Sequence, residues 1–291
     1  MRKILTILTA CSSIFLFSCQ KEVDFANGNG NGNGNGGGGN SNGELLVKAL
    51  EVTPSTNDTN IITFEWDASK RLIKYHSIGR INGFDDEITD EITRLGDGKI
   101  QKIKTTTSLT AGLIDSVIYT VHYVPGSPKI AYHIATQYTF IGDLKDSVIY
   151  TYNSAGQVSS QVDFTDIFGI VQESSKETYV YDANGNVTTH NTYSPNGTGG
   201  YDLEGAHIYT YSTHKNAVVL GDEAYVAVGV DNVSANYASK TVIANTADPT
   251  QNLTINFLQS QYNSFDRPTS TTLNIVPQPP GYDLKLIYFY Q

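Results

Sequence analysis

The stretch Tyr181-Asp182-Ala183-Asn184-Gly185-Asn186-Val187 decides the fold. The side chain of Asp182 is of a type that bonds back to the backbone of a tight turn, and Gly185 supplies the positive φ that closes a hairpin loop of about three to five residues. An aromatic residue stands before this turn and an apolar residue follows it. The stretch therefore predicts two antiparallel strands joined by a short loop.

The same order of residue types recurs at intervals of 25 to 30 residues. Each copy has an aromatic or apolar residue, a short polar turn and a new run of alternating apolar residues. The copies begin at Trp66, Leu95, Tyr123, Tyr152, Tyr181, Tyr211, Tyr237 and Tyr262. A fixed period of this length is typical of a repeat architecture. Because a single hairpin is marginal in water, neighbouring hairpins must pair edge to edge.

These patterns predict an all-β fold, an antiparallel meander of about eight β-hairpin repeats that forms an open or partly closed sheet. The aromatic residues beside the turns are expected to stack on one another as a ladder. In the copy at Tyr152, the alternation predicts that Val158, Val162 and Phe164 share one face of the return strand and that Gln161 and Asp163 lie on the wet face.

The stretch at Tyr181 resembles the Tyr-Asp (YD) repeat of the Rhs family, whose strands wind into a large β shell, and the stretch from Tyr152 to Val158 is a looser copy. Lys70, Lys215 and Asp266 stand where that repeat has Gly. The chain is too short for a complete shell around a toxin. It is more similar to the uncharacterised single-domain lipoproteins of Bacteroidota that carry degenerate repeats of this kind. The resemblance implies a fold and a location in the cell envelope and says nothing about catalysis.

The N-terminal residues have the pattern of a secretion signal. Arg2 and Lys3 precede an apolar stretch that ends at Phe17 and is too short to span a bilayer. Leu16-Phe17-Ser18-Cys19 resembles the bacterial lipoprotein box, in which the peptidase cuts before Cys and acyl chains are attached to it. Residues 1–18 are therefore predicted to be a signal peptide, and Cys19 a lipidated N-terminus that anchors the protein in the membrane. The alternative is an ordinary secretory signal followed by a chance Cys.

A flexible connection is predicted between this anchor and the folded domain. Gln20-Lys21-Glu22-Val23-Asp24 resembles the export signal that sends Bacteroidota lipoproteins to the outer face of the outer membrane, although the alternative is a plain solvated tail. Asn27 to Gly43 is almost pure Asn and Gly and has no apolar side chains to bury, so residues 19–43 are interpreted as a tether. Residues 44–291 are predicted to form one β-repeat domain. The expected location is the outer membrane, lipid-anchored, at the cell surface.

Charge and cysteine content exclude several classes of partner and site. Without residues 1–18, the chain has 17 basic and 29 acidic residues, a net charge of −12. An acidic domain with no basic stripe repels nucleic acid, so no nucleic-acid partner is predicted. The two cysteines are Cys11, in the predicted signal peptide, and Cys19, the predicted lipid site. The mature protein is then predicted to have no disulfide and no cysteine-based metal site.

The sequence carries none of the familiar motifs of catalytic or metal sites. The six histidines form no His-Glu-x-x-His motif, and there is no Gly-x-Ser-x-Gly elbow. The acidic run Asp85-Asp86-Glu87, with Asp90 and Glu91, could hold calcium, but it lacks the alternating Asp, Asn and Gly of a calcium loop, and a solvated hairpin is favoured. We therefore predict no catalytic residues, no metal site and no cofactor.

Two serines are candidate modification sites. Asp115-Ser116-Val117 and Asp146-Ser147-Val148 resemble the acceptor motif of Bacteroidota O-glycosylation, which implies glycans on Ser116 and Ser147. The alternative is a strand start that is repeated with the structural unit.

These features predict a non-enzymatic envelope lipoprotein that presents a sheet face to a polysaccharide or an envelope protein. The candidate ligand-binding residues are Trp66 and Tyr201, the latter in a Gly-rich loop. The alternative for both is a place in the core, which is favoured for Trp66 because it occupies the structural position of the repeat. Two alternatives stay open: a glycan-processing enzyme whose carboxylates come from separate repeats, and a purely structural scaffold. A membrane-spanning barrel is a third, but polar runs such as Thr105 to Ser108 leave no continuous lipid-facing band.

Overall fold

The structure is a computed structural model. It describes residues 19–20, 45–81, 84–108, 114–139, 142–167, 169–219, 225–232, 234–277 and 283–291. The predicted signal peptide and almost all of the predicted tether lie outside these residues.

Strands account for most of the described chain. They are β1 (Cys19–Gln20), β2 (Leu46–Thr53), β3 (Asp58–Trp66), β4 (Leu72–Ile81), β5 (Phe84–Arg94), β6 (Ile100–Thr107), β7 (Ile114–Tyr123), β8 (Ile130–Thr139), β9 (Gly142–Tyr152), β10 (Val158–Ile167), β11 (Ile170–Tyr181), β12 (Val187–Pro195), β13 (Tyr201–Lys215), β14 (Val218–Val219), β15 (Asn236–Asn245), β16 (Leu253–Tyr262), β17 (Pro268–Val276) and β18 (Leu284–Tyr290). One short helix, α1 (Tyr225–Val228), and two 3₁₀ turns, Val230–Asn232 and Pro249–Gln251, complete the described elements. Among them, no helix is long and apolar enough to cross a membrane.

Sixteen of these strands, β2 to β13 and β15 to β18, form a closed antiparallel barrel. The last strand closes on the first, with Lys285 opposite Val52 and Phe289 opposite Lys48. The prediction of an all-β fold is confirmed, but the predicted open or partly closed sheet of eight repeats is wrong. An open sheet would leave two edges of unpaired N–H and C=O groups, and closure removes both edges.

Six of the predicted turns share a similar hairpin geometry. At Asn153, the backbone N–H donates to the Gln157 carbonyl at 2.9 Å, and the side-chain oxygen accepts from the Gln157 N–H at 3.0 Å. Gly156 has a φ of 86°, and Lys70 and Asp266, which replace Gly in other copies, have φ values of 61° and 66°. The degenerate copies thus keep the left-handed turn residue. The six turns begin at Asp67, Leu95, Val124, Asn153, Asp182 and Asn263.

The copies at Tyr211 and Tyr237 were wrongly predicted to be hairpin turns. Tyr211 lies within β13, which continues to Lys215, and Tyr237 lies within β15. Between these strands, residues 216–219, 225–232, 234 and 235 lie outside the barrel wall, and we call these described residues the cap loop. We call the end of the barrel that holds the six turns and this loop the capped rim, and the opposite end the far rim.

The aromatic residues beside the turns tie each hairpin to its neighbour. The hydroxyl of Tyr152 donates to the Ile130 carbonyl at 2.7 Å, and the hydroxyl of Tyr181 donates to the Val158 carbonyl at 2.7 Å. Equivalent bonds to the first residue of a neighbouring strand are made by Trp66, Arg94, Tyr123, Tyr211 and Tyr290. These residues therefore form a ring of hydrogen bonds around the capped rim, an arrangement that differs from the predicted ladder of stacked rings.

Buried apolar side chains such as Ile62, Ile103 and Leu286 point into the barrel. The outer face mixes charged and apolar side chains. On this face Lys74 lies opposite Glu91, whereas Ile61 lies opposite Ile78, and both isoleucines are exposed. A transmembrane barrel has a continuous apolar band on its outer face.

The predicted assignment of faces in β10 is wrong. Val162 and Phe164 face outward, because Val162 pairs with Ile149, which is 46% exposed, and Phe164 is the next outward position. Asp163 faces the interior. The register shift between Val158 and Ser160 reverses the alternation after the buried Val158, as a β-bulge does.

Candidate functional site: a histidine and carboxylate cluster inside the barrel

The cap loop is fixed to the capped rim by several polar contacts. Arg267 Nη1 donates to the Asn216 carbonyl at 2.7 Å, and the Val187 N–H donates to Ser234 Oγ at 3.1 Å. Tyr225 is buried, and its ring packs edge-on against Tyr150 with centroids 4.9 Å apart. The described part of the loop thus packs against the inside of this rim.

The inner face of β5 to β13 lines a lumen. A barrel of sixteen strands is wide enough for side chains not to fill it. Along β5 to β13, inward-facing side chains such as Tyr119, Asp146 and Thr192 are half-buried, whereas Glu51 and Thr271, on β2 and β17, are fully buried. Solvent therefore reaches the inner wall on one side of the barrel and is excluded from the other.

His190 on β12 lies between two carboxylates in this lumen. Its Nε2 is 2.8 Å from Glu177 Oε2 on β11, and its Nδ1 is 3.1 Å from Asp231 Oδ2 in the cap loop. The contact to Asp231 joins the cap loop to the barrel wall.

The charges of the three groups stabilise one another. Burial alone would lower the pKa of His190, but the neighbouring charges and hydrogen bonds of Asp231 and Glu177 raise it to about 10. Burial alone would raise the pKa of Glu177 and of Asp231, but contact with His190 holds both below their ordinary values. At neutral pH the group is an imidazolium between two carboxylates, which we call the ion triad.

His207 and two tyrosines surround the ion triad. His207 lies directly opposite His190 in the ladder between β12 and β13, and its Nδ1 is 3.8 Å from Asp231 Oδ2. The Tyr209 hydroxyl donates to Asp231, and the Tyr179 hydroxyl donates to Glu177. One nitrogen each of His190 and His207 and one oxygen of Asp231 lie within 4.8 Å of one another, and this is the one group of that kind in the described part of the chain.

Other carboxylates make the lumen acidic. Burial raises the pKa of Asp90 and of Asp163 to about 6. Asp163 accepts a hydrogen bond from Ser175 Oγ at 2.7 Å through Oδ2, while its Oδ1 is buried without a partner. Asp146 accepts a hydrogen bond from Gln137 at 2.9 Å. These acidic groups favour cations in the lumen.

A second carboxylate cluster lies on the dry side of the barrel. Glu51 on β2 is 0% exposed and accepts a hydrogen bond from Asn60 Nδ2 at 2.9 Å. Asn60 also bonds to Ser77, but Glu51 Oε1 has no partner. Burial raises the pKa of Glu51 to about 7. Glu51 therefore tends towards the neutral carboxylic acid.

The predicted ligand-binding residues Trp66 and Tyr201 lie at opposite ends of the barrel. Trp66 packs against the core and donates from Nε1 to the Leu46 carbonyl at 2.8 Å. Tyr201 is 36% exposed at the start of β13, and its hydroxyl donates a hydrogen bond to Glu173. The centroid of its ring lies 4.7 Å from Lys176 Nζ. The structure does not bring the two together, and a role in binding stays a prediction for both.

The predicted glycan sites and the acidic run lie on the wall of the barrel. Ser116 on β7 and Ser147 on β9 face outward on either side of β8, and their glycosylation stays a prediction. In the acidic run, Asp85, Glu87 and Glu91 are exposed on the outer face, whereas Asp90 faces the lumen. Alternation along β5 thus separates these carboxylates. Asp85 and Glu87 line an open groove of about 430 Å³ together with Thr59, Ile78, Gly79, Arg80 and Ser108.

These features define a class of structure, a closed sixteen-stranded antiparallel barrel with one capped end and an outer face that mixes charged and apolar residues. The chain is similar to the crystal structure of a porin-like protein from Bacteroides uniformis, with a TM-score of 0.52, 11% identity, and coverage of 84% of this chain and 96% of that one. A porin-like protein from Bacteroides vulgatus gives a TM-score of 0.51, 11% identity, and coverage of 85% and 99%. At this identity the likeness shows the fold.

No known protein family and no curated protein matches the sequence. The resemblance to the Rhs repeat therefore rests on the motif residues alone.

Proposed function

We propose that this chain is a non-enzymatic, lipid-anchored binding protein of the outer membrane, whose barrel stands in water and takes a ligand into its lumen. The observation that carries the proposal is the chemistry of the inner wall. The inner face of β5 to β13 presents tyrosines, histidines and carboxylates, of which Tyr119, His207 and Asp146 are half-buried. A concave site with a few polar groups among aromatic side chains is typical of ligand pockets.

The outer face carries exposed apolar residues such as Ile61, Ile78 and Ile149, and its charged residues are the feature that favours a barrel beside the membrane rather than across it. Lys74, Glu91 and Lys104 form a row of opposed charges over three strands. A Lys or Arg on the lipid-facing side of a barrel costs about 2 to 4 kcal/mol at the bilayer midplane. The anchor at Cys19 then supplies the attachment to the membrane.

The ends of the barrel chain give the proposed orientation. Leu45 and Gln291 exchange backbone hydrogen bonds of 3.4 and 3.0 Å beside the capped rim. A tether that precedes Leu45 would therefore join the barrel at the capped rim. The far rim would point away from the membrane, towards a polysaccharide or an envelope protein outside the cell.

Replacement of Cys19 by Ala tests the anchor. We expect the Cys19→Ala variant to move from the membrane fraction to the soluble fraction, because the acyl chains on Cys19 are the proposed attachment to the membrane. Cys11→Ala is the matched control, since Cys11 lies in the predicted signal peptide and its loss should leave the protein on the membrane. A folded Cys19→Ala variant that stays in the membrane would overturn the proposal in favour of a spanning barrel.

Ligand binding is tested on arrays of polysaccharides and envelope proteins with the full-length protein. A ligand that binds in the lumen should bind more weakly to an Asp163→Asn variant and equally well to a Tyr138→Phe variant, because Tyr138 is exposed on the outer face. The reverse pattern would place the ligand on the outer wall and contradict a lumen site.

A glycan-processing enzyme is the second candidate, and one observation favours it. Asp163 pairs with Ser175, and Glu177 pairs with Gln161, so the two carboxylates are diagonal neighbours on strands from different hairpins. Burial raises the pKa of Asp163 to about 6, while His190 keeps Glu177 ionised. Glycosidases use one protonated and one ionised carboxyl group in this way. If the wild-type protein releases sugars from a polysaccharide and both Asp163→Asn and Glu177→Gln abolish this release, the glycan-processing activity is established. If the wild-type protein releases no sugar, the enzyme hypothesis is ruled out.

A further inference from the structure

His190 and His207 are placed as a chelating pair. They occupy directly opposed positions on β12 and β13, and both face the lumen. Directly opposed residues in an antiparallel ladder have Cβ atoms about 4.5 to 5.5 Å apart, so two imidazole rings at such positions can reach one ion. The ring centroids are 5.2 Å apart.

The third member of the group comes from the cap loop. A single atom, Asp231 Oδ2, lies 3.1 Å from His190 Nδ1 and 3.8 Å from His207 Nδ1. In a tetrahedral site with metal–ligand bonds of about 2.1 Å, neighbouring ligand atoms are about 3.4 Å apart. The observed distances lie on either side of that value. One nitrogen of His190 and one of His207 lie within 4.8 Å of each other.

We propose that His190 Nδ1, His207 Nδ1 and Asp231 Oδ2 bind a divalent transition-metal ion of the zinc class. Imidazole and carboxylate ligands together suit zinc and its first-row neighbours. On binding, the ion replaces the proton on His190 Nδ1, which leaves to solvent, and three protein ligands leave the fourth tetrahedral position to a water molecule.

The surrounding contacts are those that a metal-binding histidine requires. Glu177 Oε2 lies 2.8 Å from His190 Nε2 and would accept the remaining ring proton. A ligating histidine almost always donates its other N–H to a carboxylate, a carbonyl or a water, which fixes the orientation of the ring. Tyr179 stacks on His190 with centroids 4.8 Å apart, and Tyr209 hydrogen-bonds to Asp231. Each ligand is therefore held in place by a neighbour.

The site is reachable and would act on the cap loop. The side chains of His190, His207 and Asp231 are 11%, 23% and 13% exposed, so an ion in the lumen has access to them. Because Asp231 belongs to the cap loop and the histidines belong to the wall, a bound ion would cross-link the two. The proposal is independent of the ligand proposed above.

The test is a titration of the chelator-treated full-length protein with Co²⁺, followed by the visible absorption bands of the ion. We expect one equivalent to bind with the intense bands of four-coordinate Co²⁺, and Zn²⁺ to displace it. His207→Gln removes one ligand and leaves the ion triad in place, so this variant should fold and bind Co²⁺ at least about tenfold more weakly. Glu177→Gln should keep one equivalent with affinity lowered by about 10 to 100 times.

His122→Gln is the matched control, because His122 lies on the outer face, where its ring stacks on Tyr132. This variant should bind Co²⁺ like the wild type. A wild-type protein that gives no visible bands at millimolar Co²⁺ would overturn the proposal, as would a folded His207→Gln variant of unchanged affinity. A Zn²⁺-induced rise in the thermal midpoint that disappears in His207→Gln would support the cross-link to the cap loop.

Discussion

The Glu51 carboxyl group and the ion triad lie on opposite sides of the same barrel interior, and their carboxyl groups differ in charge state. Glu51 on the dry wall has amide and hydroxyl neighbours, and burial raises its pKa to about 7. Glu177 on the lumen wall is also largely enclosed, but its contact with His190 keeps its pKa below the ordinary value. The two residues differ in the presence of a cation. The charge of a buried carboxyl group in this barrel is therefore determined by its hydrogen-bonding partner and not by burial alone.

The comparison also separates the roles of the two walls. The dry wall holds a neutral acid that costs little as long as it keeps its proton. The lumen wall holds two anions that are tolerable only while His190 lies between them. A charge kept in this way remains available to an ion or a ligand, which fits a binding role for the lumen.

The largest effect should follow from loss of the cation. In His190→Gln, Glu177 and Asp231 lose their shared counter-ion, and we expect the free energy of unfolding to fall by about 3 to 5 kcal/mol, as for a broken buried ion pair. Denaturant titration measures the loss. His76→Gln is the control, because His76 lies 3.1 Å from Glu87 on the outer face, where such a pair contributes at most about 1 kcal/mol.

A rescue variant sharpens the first prediction. If repulsion between uncompensated carboxylates causes the loss, His190→Gln combined with Asp231→Asn should recover part of it. A double variant less stable than His190→Gln alone would show that packing, rather than charge, is responsible.

A smaller effect, with a pH signature, is expected at Glu51. The folded pKa, about 7, lies above the ordinary value of 4.5, so the folded state retains a proton that the unfolded state has lost. The contribution of Glu51 to the free energy of unfolding therefore falls as the pH rises from 4.5 to about 7, and it is constant at higher pH. The total loss is about 3 kcal/mol. Glu51→Gln removes this pH-dependent contribution. The free energy of unfolding of the variant, relative to that of the wild type, should therefore increase from pH 4 to pH 8.

Denaturant titrations of both proteins across this range test the sign. Glu65→Gln, on the outer face with a side chain 62% exposed, is the control and should follow the wild type. If the difference between Glu51→Gln and the wild type did not change with pH, Glu51 would not hold a proton in the folded state.

The turns could be predicted from the sequence, and closure of the barrel could not. The side chain of Asn153 and the left-handed position of Gly156 determine a hairpin within five residues, so local chemistry was sufficient there. Closure depends on β18 meeting β2, a contact between the two ends of the domain that no local pattern records. The copies at Tyr211 and Tyr237 were misassigned because the cap loop has about the length of one repeat and preserved the spacing.

The histidine and carboxylate cluster was missed for a related reason. His190 and His207 lie on the two strands that flank the Gly-rich hairpin loop near Asn196, but a register shift between Thr192 and Tyr193 sets their pairing, so the loop alone could not predict it. The place of Asp231 could not be predicted either, because the cap loop returns to the wall through contacts such as that between Ser234 and Val187. A bulge at Val158 likewise hid the inward position of Asp163.

The smallest effect is expected at the ring of hydrogen bonds on the capped rim, where a bond between neutral groups gives a reference for Glu51 and for the ion triad. The Tyr181 hydroxyl donates to the Val158 carbonyl at 2.7 Å, and Tyr181→Phe removes this donor without changing the packing of the ring. A neutral hydrogen bond contributes about 1 kcal/mol, so the free energy of unfolding should fall by about that amount. Tyr138→Phe is the control on the outer face and should have no measurable effect. If Tyr181→Phe cost as much as His190→Gln, charge would not distinguish the lumen wall from the rest of the barrel, and the contrast with Glu51 would have to be explained by packing.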